Sequence, residues 1–361
     1  MAEVTMAMVK QLRDLTGAGV LACKNALADN DGDMDAAVEF LRKKGEATAV
    51  KKASRIAAEG IVMAEVRGNV AAIIEVNSET DFVAKNEKFQ TFVKDVLASV
   101  FASDAADVEA LSAVKFAGDE SKTVGEALVS IIATIGEKIS IRRFAKITTD
   151  GELTSYIHGG GRIGVLVEAE NGAGEAGTEA IRNIAMQVAA LNPQYISRDQ
   201  ISAEELANMR EITIDSAIND PATLPKPILL KLIAKAVEDK VWSDADIAIY
   251  EEQKNNLNYL FNFLSSEAKV QVAELGMADK ANIVADKIFN GLVEGRISKQ
   301  VKDISLADQV YVKAEDGKQT VAAYLKSVGA VAIKGFTRFE TGEGIEKRQE
   351  NFAEEVAKQM A

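Results

Sequence analysis

The stretch Gly68-Asn69-Val70-Ala71-Ala72-Ile73-Ile74-Glu75-Val76 is the key to the architecture, because its pattern recurs later in the chain. The second copy reads Gly161-Arg162-Ile163-Gly164-Val165-Leu166-Val167-Glu168-Ala169. Both are strand-type runs, and each precedes an amphipathic helical pattern, over 87–100 in the first copy and 178–190 in the second. In the first, Phe89, Phe92, Val93, Val96 and Leu97 fall on one face. Further along, Thr123-Val124-Gly125-Glu126-Ala127-Leu128 is echoed by Thr320-Val321-Ala322-Ala323-Tyr324-Leu325. Each echo is followed by a closing strand pattern, Ile139-Ser140-Ile141-Arg142-Arg143-Phe144 and Val331-Ala332-Ile333-Lys334-Gly335-Phe336. The shared order of strand, helix, helix and strand predicts an α+β fold. Its core is a duplicated α/β unit of two small antiparallel sheets, each with helices on one face.

Outward from the core, the two halves differ in the link between their helices. It is short in the first half and long in the second, where 197–302 reads as a helical insertion. Ile228, Leu229, Leu232, Ile233, Ala236 and Val237 form one apolar stripe, and Leu257, Leu260, Phe261 and Leu264 another. Pro221, Pro225 and Pro227 punctuate the joins. The aromatics Tyr259, Phe261 and Phe263 are read as helix-packing core. Ahead of the core, the first 54 residues read as a three-helix domain. Met6, Val9, Leu12 and Leu15 recur at helical spacing, and a second helix begins at Val20 after a Gly-rich turn. Asp33 caps a third helix, for which Gly45 is the expected stop. An Ala/Lys-rich helix over 47–58 then leads into the core. Lone Cys23 is expected to be a small buried residue. The domains are thus 1–54, 55–147, 148–340 with its insertion, and a C-terminal module over 341–361. That module ends in a helix carrying Phe352, Val356 and Met360.

Composition narrows the function. The chain has 361 residues, 47% of them hydrophobic and 27% charged, so two or three folded domains are expected. A net charge of −13 repels phosphate backbones, and direct nucleic-acid binding is not expected. One Cys and one His leave no disulfide, no Cys/His zinc cluster and no Cys-x-x-Cys redox pair. No metal or cofactor is expected. No apolar run reaches the length of a membrane span and no signal-peptide core is present, so a cytoplasmic protein without membrane partners is anticipated. Gly159-Gly160-Gly161-Arg162-Ile163-Gly164 fits Gly-x-Gly-x-x-Gly literally, but a strand follows it where a dinucleotide site needs a helix. Bond-making catalysis is therefore not expected.

The string Glu79-Thr80-Asp81-Phe82-Val83-Ala84-Lys85-Asn86 stands at the corner between the first repeated strand and its helix. Two readings are open. In one, Thr80 caps the helix, Asp81 favours its positive end and Phe82 fills a local core. In the other, Phe82 is a wedge presented to a partner.

Several ordered motifs together resemble the bacterial elongation factor Ts family, nearly end to end. They are Leu15-Thr16-Gly17-Ala18-Gly19-Val20 with Cys23-Lys24, Thr80 to Asn86, Ile135-Gly136-Glu137-Lys138-Ile139-Ser140-Ile141-Arg142-Arg143, Tyr156-Ile157-His158-Gly159 with Arg162-Ile163-Gly164-Val165, and Gly342-Glu343-Gly344-Ile345-Glu346. The resemblance implies a ubiquitin-associated-like N-terminal domain and guanine-nucleotide exchange on elongation factor Tu, in its GDP-bound and nucleotide-free forms. By position, Phe82 would wedge near the partner's magnesium with Thr80, Asp81 and Val83 beside it. Ile135 and Gly136 would pack near the wedge. Val20 and Leu21 would anchor the N-terminal domain, and His158 would touch the partner from the second half. Without the family, His158 reads as an exposed strand residue beside a Gly turn. The chain departs from the family at Ala22, where Asp is usual, and at Ile157, where Gln is common. The rival reading is a non-catalytic helical adaptor or scaffold without exchange activity.

Overall fold

The computed structural model describes residues 4–170 and 174–346. The expected terminal helix with Phe352, Val356 and Met360 lies outside the described residues. The chain divides into two compact units, 1–192 with 323–361, and 193–322.

The first unit opens with α1 (Met6–Thr16), α2 (Val20–Asp29) and α3 (Met34–Lys52). Thr5 and Asp33 cap α1 and α3 by accepting backbone N–H groups. Val9, Leu12, Cys23, Ala26, Leu27 and Ala37 form a small buried core among these helices, with Cys23 fully enclosed. Helix α3 corrects the sequence reading. It does not stop at Gly45, and no separate helix spans 47–58. Gly45 is buried in mid-helix, where a Cβ would stand 3.2 Å from Val129 Cγ1. The residue allows close packing on a core helix; it does not end α3.

The first repeat supplies β1 (Glu59–Arg67), β2 (Val70–Ser78), α4 (Asp81–Ala84), α5 (Glu87–Phe101), α6 (Val108–Ser112), β3 (Lys115–Phe116), β4 (Asp119–Thr123), α7 (Val124–Ile135) and β5 (Ile139–Thr148). The second supplies β6 (Glu152–His158), β7 (Ile163–Ala169) and α8 (Glu175–Leu191). The helical unit then carries α9 (Ala203–Asn219), α10 (Lys226–Glu238), α11 (Asp244–Gln253), α12 (Leu257–Phe263), α13 (Ser266–Ala278), α14 (Lys280–Ala285) and α15 (Lys287–Ile304). Helix α16 (Val321–Ser327) and β8 (Ile333–Glu340) complete the second repeat.

The two repeats form antiparallel three-stranded sheets ordered β1-β2-β5 and β6-β7-β8. Strand β2 is buried on both faces. Ala72, Ile74 and Val76 meet Phe89, Val93 and Val96 of α5, while Ala71 and Ile73 meet Leu166 and Phe339 of the other sheet. The sheets therefore pack face to face, each covered by helices outside.

The repeat extends to a detail that periodicity does not show. A bulge opposite Glu75 and Val76 inserts Arg142, so the consecutive Arg142 and Arg143 both reach Glu75, at 3.0 and 2.6 Å. The equivalent bulge at Glu168 and Ala169 inserts Lys334, which pairs with Glu168 at 3.0 Å. Hydrogen bonding to Thr149 and Lys334 holds the Glu168 carboxyl below its ordinary range. Fully buried Glu75 also accepts the Gly342 N–H at 2.8 Å, fixing the turn after β8. Only Gly serves there. Its φ is +72°, and a Cβ would lie 2.1 Å from the Ala58 carbonyl oxygen.

The helical unit has its own core, built from the expected stripes on α10 and around α12 together with Trp242, Val272, Phe289 and Val293. Phe261 packs against it, but Tyr259 and Phe263 are exposed, contrary to their reading as core. The unit reaches beyond 197–302. The backbone at 194–196 bonds to Ile304, Leu306 and Ala307, and a bridge joins Val310 to Thr320. Among the described residues no helix is long and apolar enough to cross a membrane.

Candidate functional site

The candidate site begins where β2 ends. Thr80 has extended backbone, φ −127° and ψ 156°, and caps α4 by accepting the Val83 N–H at 3.4 Å. Helix α4 is only four residues long, too short to be stable by itself. Val83 and Ala84 turn inward and are buried. Asp81 and Phe82 turn outward. Phe82 is 81% exposed, which excludes the reading that it fills a local core. Of the four residues singled out at this corner, only these two face solvent broadly; Thr80 is half-buried. An isolated exposed aromatic is ordinary on a protein surface, but this one sits at a fixed corner beside a charge.

That charge is Asp81, paired with Lys85 at 2.7 Å across one helical turn. The hydrogen bond from Lys85 holds the Asp81 carboxyl below its ordinary range, so it is ionised at neutral pH. The corner thus presents a bare ring next to a carboxylate.

Two further segments converge on the corner. The first is the end of α7, where half-buried Ile135 packs on the first-repeat core and Gly136 closes the helix in the left-handed conformation. Next along the chain, Glu137 accepts the Thr80 N–H at 3.0 Å and the Thr80 hydroxyl at 2.8 Å. Glu79 returns the arrangement, accepting the Lys138 N–H at 2.5 Å. The second segment is the N-terminal helices. Lys52, at the end of α3, donates to the Gly136 carbonyl, and Lys138 donates to the Arg55 carbonyl at 2.7 Å. Arg55 completes the frame by pairing with Glu79 at 3.2 Å. On the other side of α7, the Thr134 hydroxyl reaches the Gly17 carbonyl at 3.5 Å. This places the start of α2 near the same helix end, with Val20 44% and Leu21 70% exposed.

The structure therefore sets the corner of Asp81 and Phe82 beside the α7 end with Ile135 and Gly136, and the α2 start beside α7. It does not join His158 to them. His158 ends β6, exposed, with Nδ1 3.1 Å from the Tyr156 hydroxyl. Among the described residues no hydrogen bond links it to the Phe82 corner. Sequence reasoning gave no role to Glu79, Glu137, Lys138, Arg55 or Lys52. The signals were that Glu79 opens the corner string and that Glu137 and Lys138 follow Ile135 and Gly136 in a motif already singled out. Among the described residues no group of three Asp, Glu, His or Cys side chains is placed to hold a metal ion. What the arrangement offers is a shaped apolar and acidic surface on a hydrogen-bonded frame.

Two comparisons with known proteins agree. The family model described as Elongation factor TS matches residues 79–343, from the Phe82 corner to the turn after β8. The protein named Elongation factor Ts from Clostridioides difficile (strain 630) is 41% identical over 366 positions, covering the whole of both chains. With a family match over most of its length and a relative aligned end to end, the chain belongs to the elongation factor Ts family of translation elongation factors.

Proposed function

We propose that the chain binds elongation factor Tu in its GDP-bound form and accelerates GDP release, leaving the partner free to take up GTP. The observation that carries this reading is the exposure of Phe82 at a corner whose backbone is held from two sides. A ring presented in this way inserts into a partner at little ordering cost. In this reading Phe82 enters beside the partner's magnesium and phosphate site with Asp81 next to it. Thr80 and Val83 hold the corner from within. Ile135 and Gly136 flank the wedge, Val20 and Leu21 anchor the N-terminal helices, and His158 contacts the partner separately.

The thermodynamic requirement is negative coupling between two ligands of one protein. If the chain binds nucleotide-free partner more tightly than the GDP form, GDP must weaken the chain by the same ratio. Each factor of ten in that ratio corresponds to about 1.4 kcal/mol. A buried aromatic hot spot contributes about 2–4 kcal/mol, so Phe82 supplies between about one and three such factors. Displacing the partner's magnesium loosens GDP because the ion neutralises phosphate charge and bridges its oxygens. No covalent bond changes, so the chain is an exchange factor with no chemistry of its own.

Stopped-flow release of fluorescent GDP from elongation factor Tu tests this directly. The release rate should rise with concentration of the chain and saturate. Binding without any rise would replace the exchange reading with that of an adaptor.

A further inference from the structure

We infer that Glu137 is the positioning residue of the Phe82 wedge: its carboxylate clamps the Thr80 corner so that the ring meets its partner already aimed. This rests on the exchange reading above and adds to it the residue on which the wedge depends.

Phe82 is 81% exposed, so its direction is set by the backbone that carries it. That backbone is a single turn of four residues, which has too few internal hydrogen bonds to hold its own shape. Its geometry must come from contacts outside it. Buried Val83 and Ala84 and the Gln90 amide on the Ala84 carbonyl hold its far end, and Thr80 holds the end that carries Phe82, its hydroxyl capping the turn at the Val83 N–H. Both donors of Thr80, the backbone N–H at 3.0 Å and the hydroxyl at 2.8 Å, go to the two oxygens of one carboxylate, Glu137. Hydrogen bonds to a charged acceptor are the stronger kind, and two on one residue leave little rotational freedom.

The clamp works in both directions. Glu137 holds Thr80, and Glu79 holds Lys138, so adjacent residues on each segment exchange carboxylate-to-amide bonds. The 136–138 segment is itself fixed by Lys52 on the Gly136 carbonyl and by Lys138 on the Arg55 carbonyl. Removing Glu137 cuts the bonds that reach Thr80 while leaving those anchors in place. The affected residue then lies two positions from Phe82 and within its helix cap. A flexible corner makes the ring order itself on binding, and that cost appears in the partner complex.

The test uses the full chain and elongation factor Tu with fluorescent GDP. Glu137→Ala should lower the saturating release rate roughly tenfold, because only part of the cost of losing two hydrogen bonds to a charged group appears in the partner complex. In a Phe82→Ala background the same substitution should have no further effect, because Glu137 acts through that ring. Multiplicative losses in the double variant, or an unchanged rate in Glu137→Ala, would overturn the inference. Amide hydrogen exchange gives a readout independent of the partner. The Thr80 N–H should exchange at least tenfold faster in Glu137→Ala while the α5 amides keep their protection. If Glu137→Ala fails to fold, Glu137→Gln keeps the side chain's size and one accepting oxygen but loses the charge and the second acceptor, and should give a partial loss with the same dependence on Phe82; full activity there would equally overturn the clamp. A wild-type chain that leaves GDP release unchanged would fail the exchange reading itself, and the wedge role with it. Unaltered Thr80 protection in Glu137→Ala would instead sink the clamp alone.

Discussion

At the scale of single residues, the exposed ring and its neighbouring acid separate function from stability. Phe82→Ala removes a side chain that is 81% exposed, so the thermal midpoint should hold. The saturating GDP release rate should fall about thirtyfold or more, from the loss of about 2 kcal/mol or more at a hot spot. Normal release from the variant with native circular dichroism would remove Phe82 from the mechanism. Asp81 behaves differently. Its carboxyl is held below the usual range by Lys85, and a depressed folded pKa adds stability above the unfolded value and loses it as pH falls through the folded one. The pair is exposed, so that contribution is small at any pH. Asp81→Asn should leave the melting point at pH 7 within error of wild type, and any difference should vanish below the carboxylate range. A large shift at pH 7 would mean that Asp81 has a structural role. Legibility at this scale followed the range of each interaction. The Thr80 cap and the acid at the helix start are local and could be read from spacing. Glu137 could not, because its partner lies far away in the chain and nothing in residue order records a carboxylate-to-amide bond.

Single elements show the same limit with a different cause. The strands and helices of the repeat were legible because burial imposes a period of two or of 3.6, and the second copy repeats the first. The end of α3 was misread because a mid-helix Gly and a helix-ending Gly look alike in sequence. Gly45 lies against Val129 and Ala133 of α7, and only that tertiary contact distinguishes the two. A prediction follows from the contact. Gly45→Leu gains under about 1 kcal/mol of helix propensity but forces α3 and α7 apart at a cost of about 1–3 kcal/mol. It should lower stability and weaken partner binding through displaced Val20 and Leu21. Gly45→Ala places a Cβ 3.2 Å from Val129 Cγ1 and 3.5 Å from Ala133 Cβ, a fit that a shift of a few tenths of an ångström relieves, and should stay near wild type in urea unfolding. Equal stability of the Leu and wild-type proteins would show that the packing is loose. The bulged strand pair carries a second prediction. Glu75→Ala leaves Arg142 and Arg143 without their shared carboxylate inside the sheet interface. The cost should be about 3 kcal/mol, the low end for a broken buried pair, because both guanidiniums keep some access to water. The Gly342 N–H also loses its acceptor, so exchange at that amide should rise together with the loss of stability.

For the whole molecule, the telling fact is that the helical unit interrupts a repeat whose other copy closes without it. The segment read from sequence as 197–302 is larger in the structure, because isolated backbone bonds near 194–196 and 310–320 draw in its flanks. Such bonds have no periodicity and leave no trace in composition. Its interior is its own, from Ile201 to Val301, with the chain's single tryptophan, Trp242, buried and bonded to the Ala268 carbonyl at 3.1 Å. Tryptophan fluorescence therefore reports this unit alone, while circular dichroism reports both. Unfolding followed by the two probes should give transitions that do not coincide, the mark of units that melt separately. The first unit should also survive loss of the second. Asn183 on α8 donates to the Tyr324 hydroxyl on α16 at 2.9 Å, so the resumed repeat lies along α8. From Asn183 to the end of that helix is roughly 14 Å at 1.5 Å per residue. A flexible linker of about ten residues reaches about 33 Å when extended, enough to join 192 to 323 without strain. Closing a shorter loop changes the entropy by only about 0.6 kcal/mol per halving of length. The variant with 193–322 replaced by such a linker should melt in one transition by circular dichroism and still accelerate GDP release, because Phe82, Glu137 and Ile135 all belong to the unit that remains. Aggregation, or the absence of a cooperative transition, would show that the helical unit completes the core of the first.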